Sequence, residues 1–174
     1  LGDVYKRQLL DLGTGSGALL LACLSEMLGA TGIGVDLSAG ALATATANAA
    51  QLRLSDRVQF VEGDFADPQA GAGEFDLILC NPPYIPRRDI EQLALEVAHF
   101  DPKRALDGGD DGLDCWRSLL PRLQQGLAPN GRAFVEIGAG QEEAVTSLAR
   151  QAGLQAAGTR PDLSGTNRCL IFAG

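Results

Sequence analysis

The chain has 174 residues, a length that suits one domain able to bury about 70% of the surface its unfolded form exposes. Its 22 acidic and 14 basic side chains give a formal net charge of −8, and no basic run is present, which disfavours a nucleic-acid backbone as a partner. The four cysteines are widely spaced and accompany a single histidine, His99, so we predict reduced thiols and no metal site. The sequence contains no apolar run of about 18 residues and no signal-peptide pattern, so we expect a cytoplasmic protein without a membrane span.

The predicted elements form one domain over residues 9–174, and residues 1–8 are interpreted as a truncated or non-native leader because they show no periodicity. The predicted strands cover residues 9–12, 33–36, 58–61, 75–80 and 133–137, with two more after residue 154. The predicted helices cover residues 18–28, 39–53, 113–127 and 141–151, and a turn is predicted at 129–131. This alternation predicts an α/β, Rossmann-like fold with a mostly parallel seven-stranded sheet and helices on both faces.

A long polar segment, residues 85–112, interrupts the alternation directly after the fourth predicted strand. Its charges, prolines and glycines predict a loop, with one short helix over residues 90–98. Loops longer than about 12 to 15 residues inside a compact domain are usually functional or disordered. We therefore expect this segment to form a lid beside the site.

A glycine-rich turn joins the first strand to the first helix and consists of Gly13, Thr14, Gly15, Ser16 and Gly17. Such a turn lets the backbone approach a ligand closely and presents free N–H groups at the start of a helix. The spacing G-x-G-x-G differs from the dinucleotide fingerprint, and no lysine follows as in a phosphate-binding P-loop. The turn therefore predicts a ligand site but not which ligand binds there.

Two acidic residues at strand ends narrow the choice of ligand. Asp36 ends the second strand at about the distance from the turn where an acid accepts hydrogen bonds from a ribose diol. Asp64 and Phe65, after the third strand, offer a carboxylate for an amino group and an aromatic face for a base, although a capped turn with a core phenylalanine explains them equally well. Together these residues predict an adenosine-containing ligand.

The tetrapeptide Asn81-Pro82-Pro83-Tyr84 directly follows the fourth strand, where open α/β sheets place their ligands. The prolines restrict the backbone, so the Asn81 side chain and the Pro82 carbonyl are oriented before a ligand arrives. A planar NH2 group can donate one hydrogen bond to each, with the Tyr84 ring against its face. The motif therefore predicts chemistry at an amide or amino nitrogen.

These motifs in combination resemble the class I S-adenosylmethionine-dependent methyltransferases. Two further stretches, residues 100–114 and 162–168, are similar to the HemK/PrmC family of protein-(glutamine-N5) methyltransferases, which modify the GGQ-loop glutamine of peptide chain release factors. The likeness extends from about Leu9 to the end of the chain. It implies S-adenosyl-L-methionine as cofactor and a release factor as partner, and we expect a monomer.

The resemblance also implies roles for individual residues. Those that would bind the cofactor are Gly13, Thr14, Gly15, Ser16, Gly17, Asp36, Asp64, Phe65 and Asn81. Those that would hold the glutamine amide are Asn81, Pro82, Pro83 and Tyr84. The sequence departs from the family in reading Phe100-Asp101-Pro102 for Phe-Glu-Pro, and we expect it to hold the catalytic domain without the family's N-terminal helical domain.

Several alternatives use the same features. Adenine-N6 methyltransferases of nucleic acids and ribosomal-protein glutamine methyltransferases share the acceptor motif, although the first predict a basic surface. A nicotinamide-dependent oxidoreductase is disfavoured by the glycine spacing and by the lack of a Tyr-Lys or His catalytic pair. A cofactor-binding fragment without activity is the last alternative.

Overall fold

A computed structural model describes residues 6–92 and 105–174. Its strands are β1 (Gln8–Leu12), β2 (Thr31–Asp36), β3 (Val58–Glu62), β4 (Phe75–Cys80), β5 (Leu127–Glu136), β6 (Gln155–Pro161) and β7 (Asn167–Ala173). Its α-helices are α1 (Ala18–Glu26), α2 (Ala39–Gln51), α3 (Asp114–Gly126) and α4 (Glu142–Gln151). Short 3₁₀ helices cover Ser55–Arg57 and Arg87–Gln92.

The strands form one sheet in the order β3-β2-β1-β4-β5-β7-β6. All neighbouring strands are parallel except β7, which is antiparallel to both β5 and β6. The strand order reverses between β1 and β4, and such a reversal opens a crevice at the carboxyl ends of the strands. The predicted mostly parallel seven-stranded sheet is confirmed.

The core lies on both faces of this sheet because successive side chains of a strand point in opposite directions. Leu10 and Leu12 of β1 belong to a cluster that contains Trp116 of α3, whereas Leu9 packs into a second cluster with Leu20 of α1. Trp116 is fully buried. The prediction of helices on both faces is therefore confirmed, and each face has its own apolar layer.

Three sequence predictions differ from the structure in detail. The predicted turn at 129–131 lies inside β5 as a bulge, because the pairing with β4 jumps from Phe75↔Leu127 to Leu77↔Arg132 and Asn130 has a φ of 66°. Helix α1 ends at Glu26 rather than at residue 28, since Gly29 turns the chain with a φ of 88°. Strand β1 begins at Gln8, one residue inside the predicted leader.

Two predictions fall largely outside the described residues. The predicted helix over 90–98 is described only to residue 92, where the chain forms the end of a 3₁₀ helix, and His99 lies outside the described ranges. Residues 1–5 of the predicted leader lie outside them as well. In the parts of the chain that the structure does describe, no helix is both long enough and apolar enough to span a bilayer.

Candidate active site

Two adjoining cavities open at the carboxyl ends of the parallel strands. The adenosine-side cavity, about 150 Å³, is lined by Gly13, Asp36, Leu37, Gly63, Phe65, Asn81, Pro83 and Ala105. The acceptor-side cavity, about 400 Å³, is lined by Gly13, Thr14, Gly15, Ser16, Ala18, Leu19, Asn81, Pro82, Pro83, Tyr84, Ile85, Ala105 and Leu106. The register brings these loops together, since Leu12 of β1 pairs with both Val35 of β2 and Cys80 of β4.

The glycine turn is bonded to the end of β2 through its own backbone. The N–H groups of Gly13 and Thr14 both donate to the Val35 carbonyl at 2.9 Å, and the Gly15 N–H donates to Asp36 Oδ2 at 2.8 Å. The expectation that this turn presents free N–H groups to a ligand is therefore wrong for these three residues. What the turn offers is space, because a Cβ built on Gly13 or Gly15 meets nothing within 4 Å.

Gly17 has a structural position at the start of α1 and does not line either cavity. It adopts a φ of 78°, and a Cβ there would lie 3.1 Å from Leu21 and 3.2 Å from Ala45. A larger residue would therefore force α1 away from α2 and strain the backbone. In the structure Gly17 thus sets the close packing of the turn, and its role in cofactor binding stays a prediction.

Asp11 lies beneath the turn and is 1% exposed. The Thr14 hydroxyl donates to Asp11 Oδ2 at 2.7 Å, so Thr14 points inward although its backbone lines the acceptor-side cavity. Burial raises the pKa of Asp11 to about 6, and the hydrogen bond from Thr14 offsets part of that rise. An acid with such a pKa is partly protonated below neutral pH.

The raised pKa of Asp11 makes a testable contribution to stability. Because the folded-state pKa exceeds the ordinary value of 3.8, Asp11 favours the folded state below about pH 4 and loses that contribution as the pH rises through about 6. Asp11→Asn keeps an oxygen for Thr14 and cannot ionise. We expect its free energy of unfolding, relative to wild type, to rise by about 2.4 kcal/mol between pH 4 and pH 7. Urea unfolding at several pH values measures this difference.

Asp56→Asn is the matched control because Asp56 is exposed. Its free energy of unfolding should stay parallel to that of wild type over the same range, since an exposed carboxylate has similar surroundings in both states. A constant difference between Asp11→Asn and wild type from pH 4 to pH 7 would contradict the buried acid.

Asp36 lies at the end of β2, as predicted, and its carboxylate joins two segments. Oδ2 accepts from the Gly15 N–H and Oδ1 accepts from the Ser38 N–H, both at 2.8 Å. A carboxylate offers about four acceptor positions, so two remain for a ligand in the adenosine-side cavity. Ser38 in turn caps α2 by accepting from the Ala41 N–H at 3.3 Å.

Asp64 and Phe65 have different positions. Phe65 is half-buried, packs against the core and lines the adenosine-side cavity. The Asp64 side chain is exposed and accepts from the Ala66 N–H at 2.8 Å, which closes a turn, and Asp64 lines neither cavity. The structure thus joins Phe65 to the site and gives Asp64 the capping arrangement that the sequence left open.

Asn81 lies where the two cavities meet and lines both. Within residues 6–92 and 105–174, neither its side-chain amide nor the Pro82 carbonyl has a hydrogen-bond partner. The two acceptors are therefore available to an incoming NH2 group. Pro82 is buried, which fixes the backbone from which both acceptors project.

Tyr84 is anchored to β5 at the far side of the motif. Its hydroxyl donates to Oε1 of Glu136, the last residue of β5, at 2.8 Å. Burial, together with the hydrogen bond to Glu136, raises the pKa of Tyr84 to about 12. Tyr84 therefore stays neutral at physiological pH and does not act as a base.

Sequence reasoning missed several apolar members of the site. Leu37, Leu19 and Ile85 line the cavities, and Ala105 and Leu106 approach from the segment before α3. Leu37 and Leu19 are 52% and 49% exposed. The available signal was their position in the sequence, because Leu37 directly follows Asp36 and Leu19 lies shortly after Gly17. Ala105 and Leu106 lie within the stretch that carries the family resemblance.

No metal-binding group of three histidine, cysteine or acidic side chains is found in the described ranges. The four cysteines are free. Cys80 is 2% exposed, and burial raises its pKa well above the ordinary value. A buried neutral thiol beside Asn81 contributes packing and no nucleophile.

Curated relatives share much of the sequence. The chain is 51% identical over 164 residues to the release factor glutamine methyltransferase of Rhodospirillum rubrum, covering 94% of this chain and 50% of that protein. It is 45% identical over 163 residues to the corresponding protein of Caulobacter vibrioides, covering 94% of this chain and 56% of that one. The chain thus spans about half the length of these relatives.

Solved structures share the fold at lower sequence identity. A methyltransferase from Pyrococcus furiosus superposes with a TM-score of 0.72 at 17% identity, over 97% of this chain and 75% of that one. An RNA methyltransferase from Salinibacter ruber, solved in complex with S-adenosyl-L-homocysteine, gives 0.61 at 18% identity, over 96% and 80%. Residues 9–100, more than half of the chain, match the family model described as a methyltransferase domain. The chain therefore belongs to the methyltransferase domain family, in agreement with its sequence motifs and its seven-stranded sheet.

Proposed function

We propose that this protein transfers a methyl group from S-adenosyl-L-methionine to the side-chain nitrogen of a glutamine. The observation that carries the proposal is the position of Asn81, which lines both cavities and has no partner for its amide in the described part of the chain. A residue placed in this way can contact a cofactor on one side and an acceptor on the other. The family match and the curated relatives support the same reaction.

The two cavities together fit the cofactor. The open space over Gly13, which lines both cavities, and over Gly15, which lines the acceptor-side cavity, would receive the methionine and ribose part, and Asp36 has acceptor positions left for the ribose hydroxyls. Phe65 offers its ring to the adenine, which stacks well on an aromatic face. When bound, S-adenosyl-L-methionine would supply a methyl carbon on a positively charged sulfur. The bond from that carbon to sulfur would break as the bond to the amide nitrogen forms, leaving S-adenosyl-L-homocysteine, and the nitrogen would lose one of its two protons. The glycine turn contributes shape, because its N–H groups already bond to β2 and Asp36.

The acceptor-side cavity fits a planar amide. The Asn81 side-chain oxygen and the Pro82 carbonyl oxygen would each accept a hydrogen bond from one N–H group of the amide. These two bonds would fix the amide plane and turn the nitrogen lone pair toward the cofactor. An amide nitrogen is a weak nucleophile, so positioning supplies most of the rate enhancement. Leu19, Ile85 and Leu106 give this cavity apolar walls.

We propose the GGQ-loop glutamine of a peptide chain release factor as the target. The named activity of the relatives supports this target, and the stretches 100–114 and 162–168 carry the resemblance. The net charge of −8 favours a protein acceptor over a nucleic acid, against the adenine-N6 alternative. We further propose that the protein acts as a monomer in the cytoplasm, where release factors are found.

The test is mass spectrometry of a release factor incubated with this chain and S-adenosyl-L-methionine. We expect one added methyl group of about 14 Da on the GGQ glutamine and none on a GGA variant. The GGA variant is matched in every other contact, so it isolates the side-chain amide. A methyl adduct on the GGA protein, or none on either protein, would overturn the glutamine assignment.

A further inference from the structure

One side chain outside the motif holds Tyr84 from its backbone side. Gln141 immediately precedes α4, and its Nε2 donates to the Tyr84 carbonyl at 2.9 Å and to the Gly112 carbonyl at 3.1 Å. Its Oε1 accepts from the Gly138 N–H at 2.9 Å. One half-buried amide therefore joins the turn after β5 to Gly112, 29 residues from Gln141, and to Tyr84, 57 residues from it.

Glycines make room for this arrangement. A Cβ on Gly112 would lie 2.6 Å from the Tyr84 carbonyl oxygen and 2.8 Å from Gln141 Nε2. A Cβ on Gly138 would lie 2.8 Å from Gln141 Oε1 and 3.1 Å from the Tyr84 ring. On the opposite side, a Cβ on Gly108 would lie 2.8 Å from the Tyr84 carbonyl carbon. Any side chain at these glycines would push against Tyr84 or Gln141.

Tyr84 is thus fixed at both ends by the segment that leaves β5. Glu136 accepts from its hydroxyl at 2.8 Å and Gln141 donates to its carbonyl at 2.9 Å. A tyrosine with one hydrogen bond can still rotate about it, whereas two anchors define the position of both the ring and the backbone. Two prolines stiffen the backbone between Asn81 and Tyr84, so fixing Tyr84 also fixes the positions of Asn81 to Pro83.

We infer that Gln141 is a positioning residue, which sets the orientation of the acceptor site through Tyr84 without itself contacting the substrate. The expected loss of methyl-transfer rate rests on the proposed function, whereas the expected movement of Tyr84 rests on the hydrogen bonds alone. Loss of the hydrogen bonds from Gln141 to the Tyr84 and Gly112 carbonyls should leave cofactor binding intact, because Gln141 lines neither cavity. It should lower the rate of methyl transfer, since a misplaced acceptor site costs up to about 100-fold in rate.

Gln141→Glu is the sharpest test. Glutamate retains an oxygen for the Gly138 N–H but places a second oxygen against the Tyr84 and Gly112 carbonyls, so it replaces the two donated bonds with repulsion between oxygen atoms. We expect kcat to fall by about 10- to 100-fold, while KM for the release factor and Kd for S-adenosyl-L-methionine change by less than about threefold. Gln151→Ala, an exposed change at the other end of α4, should leave all three constants unchanged.

A second readout does not need activity. The sequence holds two tyrosines, so Tyr5→Phe leaves a single NMR signal from ¹³C-labelled Tyr84. Gln141→Glu and Gln141→Ala should shift or broaden that signal in folded protein, and Gln151→Ala should not. An unmoved signal, or a kcat equal to that of wild type, overturns the inference. If wild type itself methylates no glutamine, the proposed function fails, and the Tyr84 signal still decides whether Gln141 holds the motif.

Discussion

Asn81→Ala is expected to lower kcat for glutamine methylation by about 10²- to 10³-fold while the protein still binds its cofactor. The alanine removes the side-chain oxygen that, in the proposed function, accepts a hydrogen bond from one N–H group of the substrate amide, so the nitrogen would no longer be held toward the methyl group. Asn81 also lines the adenosine-side cavity, and losing that contact should weaken S-adenosyl-L-methionine binding by less than about tenfold, or 1.4 kcal/mol. Methyl incorporation gives kcat, and isothermal titration calorimetry gives Kd.

Gln124→Ala provides the control for Asn81→Ala, because it removes an exposed amide from α3 away from both cavities. Its kcat and Kd should match those of wild type. Undiminished methylation by Asn81→Ala would show that the acceptor is held elsewhere. A loss of cofactor binding as large as the loss of rate would instead place Asn81 in the cofactor site alone.

Asp36→Asn is expected to weaken cofactor binding by about 100-fold, close to 2.7 kcal/mol. The asparagine NH2 group must face one of the two N–H donors that Asp36 now bonds, from Gly15 and Ser38, so that donor loses its partner. The variant also loses the negative charge that would accept hydrogen bonds from the ribose diol. Calorimetry with S-adenosyl-L-homocysteine measures the loss without turnover.

A cofactor analogue separates the two roles of Asp36. Wild type should bind the 2′-deoxy form of S-adenosyl-L-homocysteine at least about tenfold more weakly than the parent, whereas Asp36→Asn should distinguish the two poorly. Asp56→Asn, an exposed change outside both cavities, should behave as wild type. If wild type and Asp36→Asn distinguish the two compounds equally well, Asp36 only holds the backbone of Gly15 and Ser38 and does not bind the ribose.

Sequence patterns could locate those candidate site residues whose position depends only on the end of one strand. Asp36 and Asn81 each follow a recognisable apolar strand, and parallel strands bring their carboxyl ends to one edge of the sheet. The glycine turn was recognisable because positive φ values at Gly13, Gly15 and Gly17 require that residue type. These positions depend on local backbone geometry and on the strand order alone.

Contacts set by the register of other strands could not be predicted in the same way. The N–H groups of Gly13 and Thr14 bond to Val35 because Leu12 and Val35 are paired, which a single strand pattern does not reveal. The Tyr84 to Glu136 bond spans 52 residues and arises only when β5 lies beside β4. Asp64 remained ambiguous since a carboxylate after a strand caps a turn as readily as it binds a ligand.

The β5 bulge shows a different reason for error. Pro129 and Asn130 carry the usual signal of a turn between elements, and the chain does turn there, but the ladder with β4 resumes at Arg132. Turn chemistry describes the local backbone and does not state whether the strand continues afterwards. The turn was therefore located correctly and its place in the sheet was not.

The backbone bonds between the glycine turn and β2 have a consequence for the thermodynamics of cofactor binding. Val35 and Asp36 already hold Gly13, Thr14 and Gly15 in place before a ligand arrives. The glycine turn therefore loses little conformational entropy when the cofactor binds. Little of the favourable energy of its contacts with the cofactor is then spent on ordering the turn. Cofactor binding at this edge of the sheet should therefore behave as docking to a rigid surface, without a slow ordering step of the glycine turn.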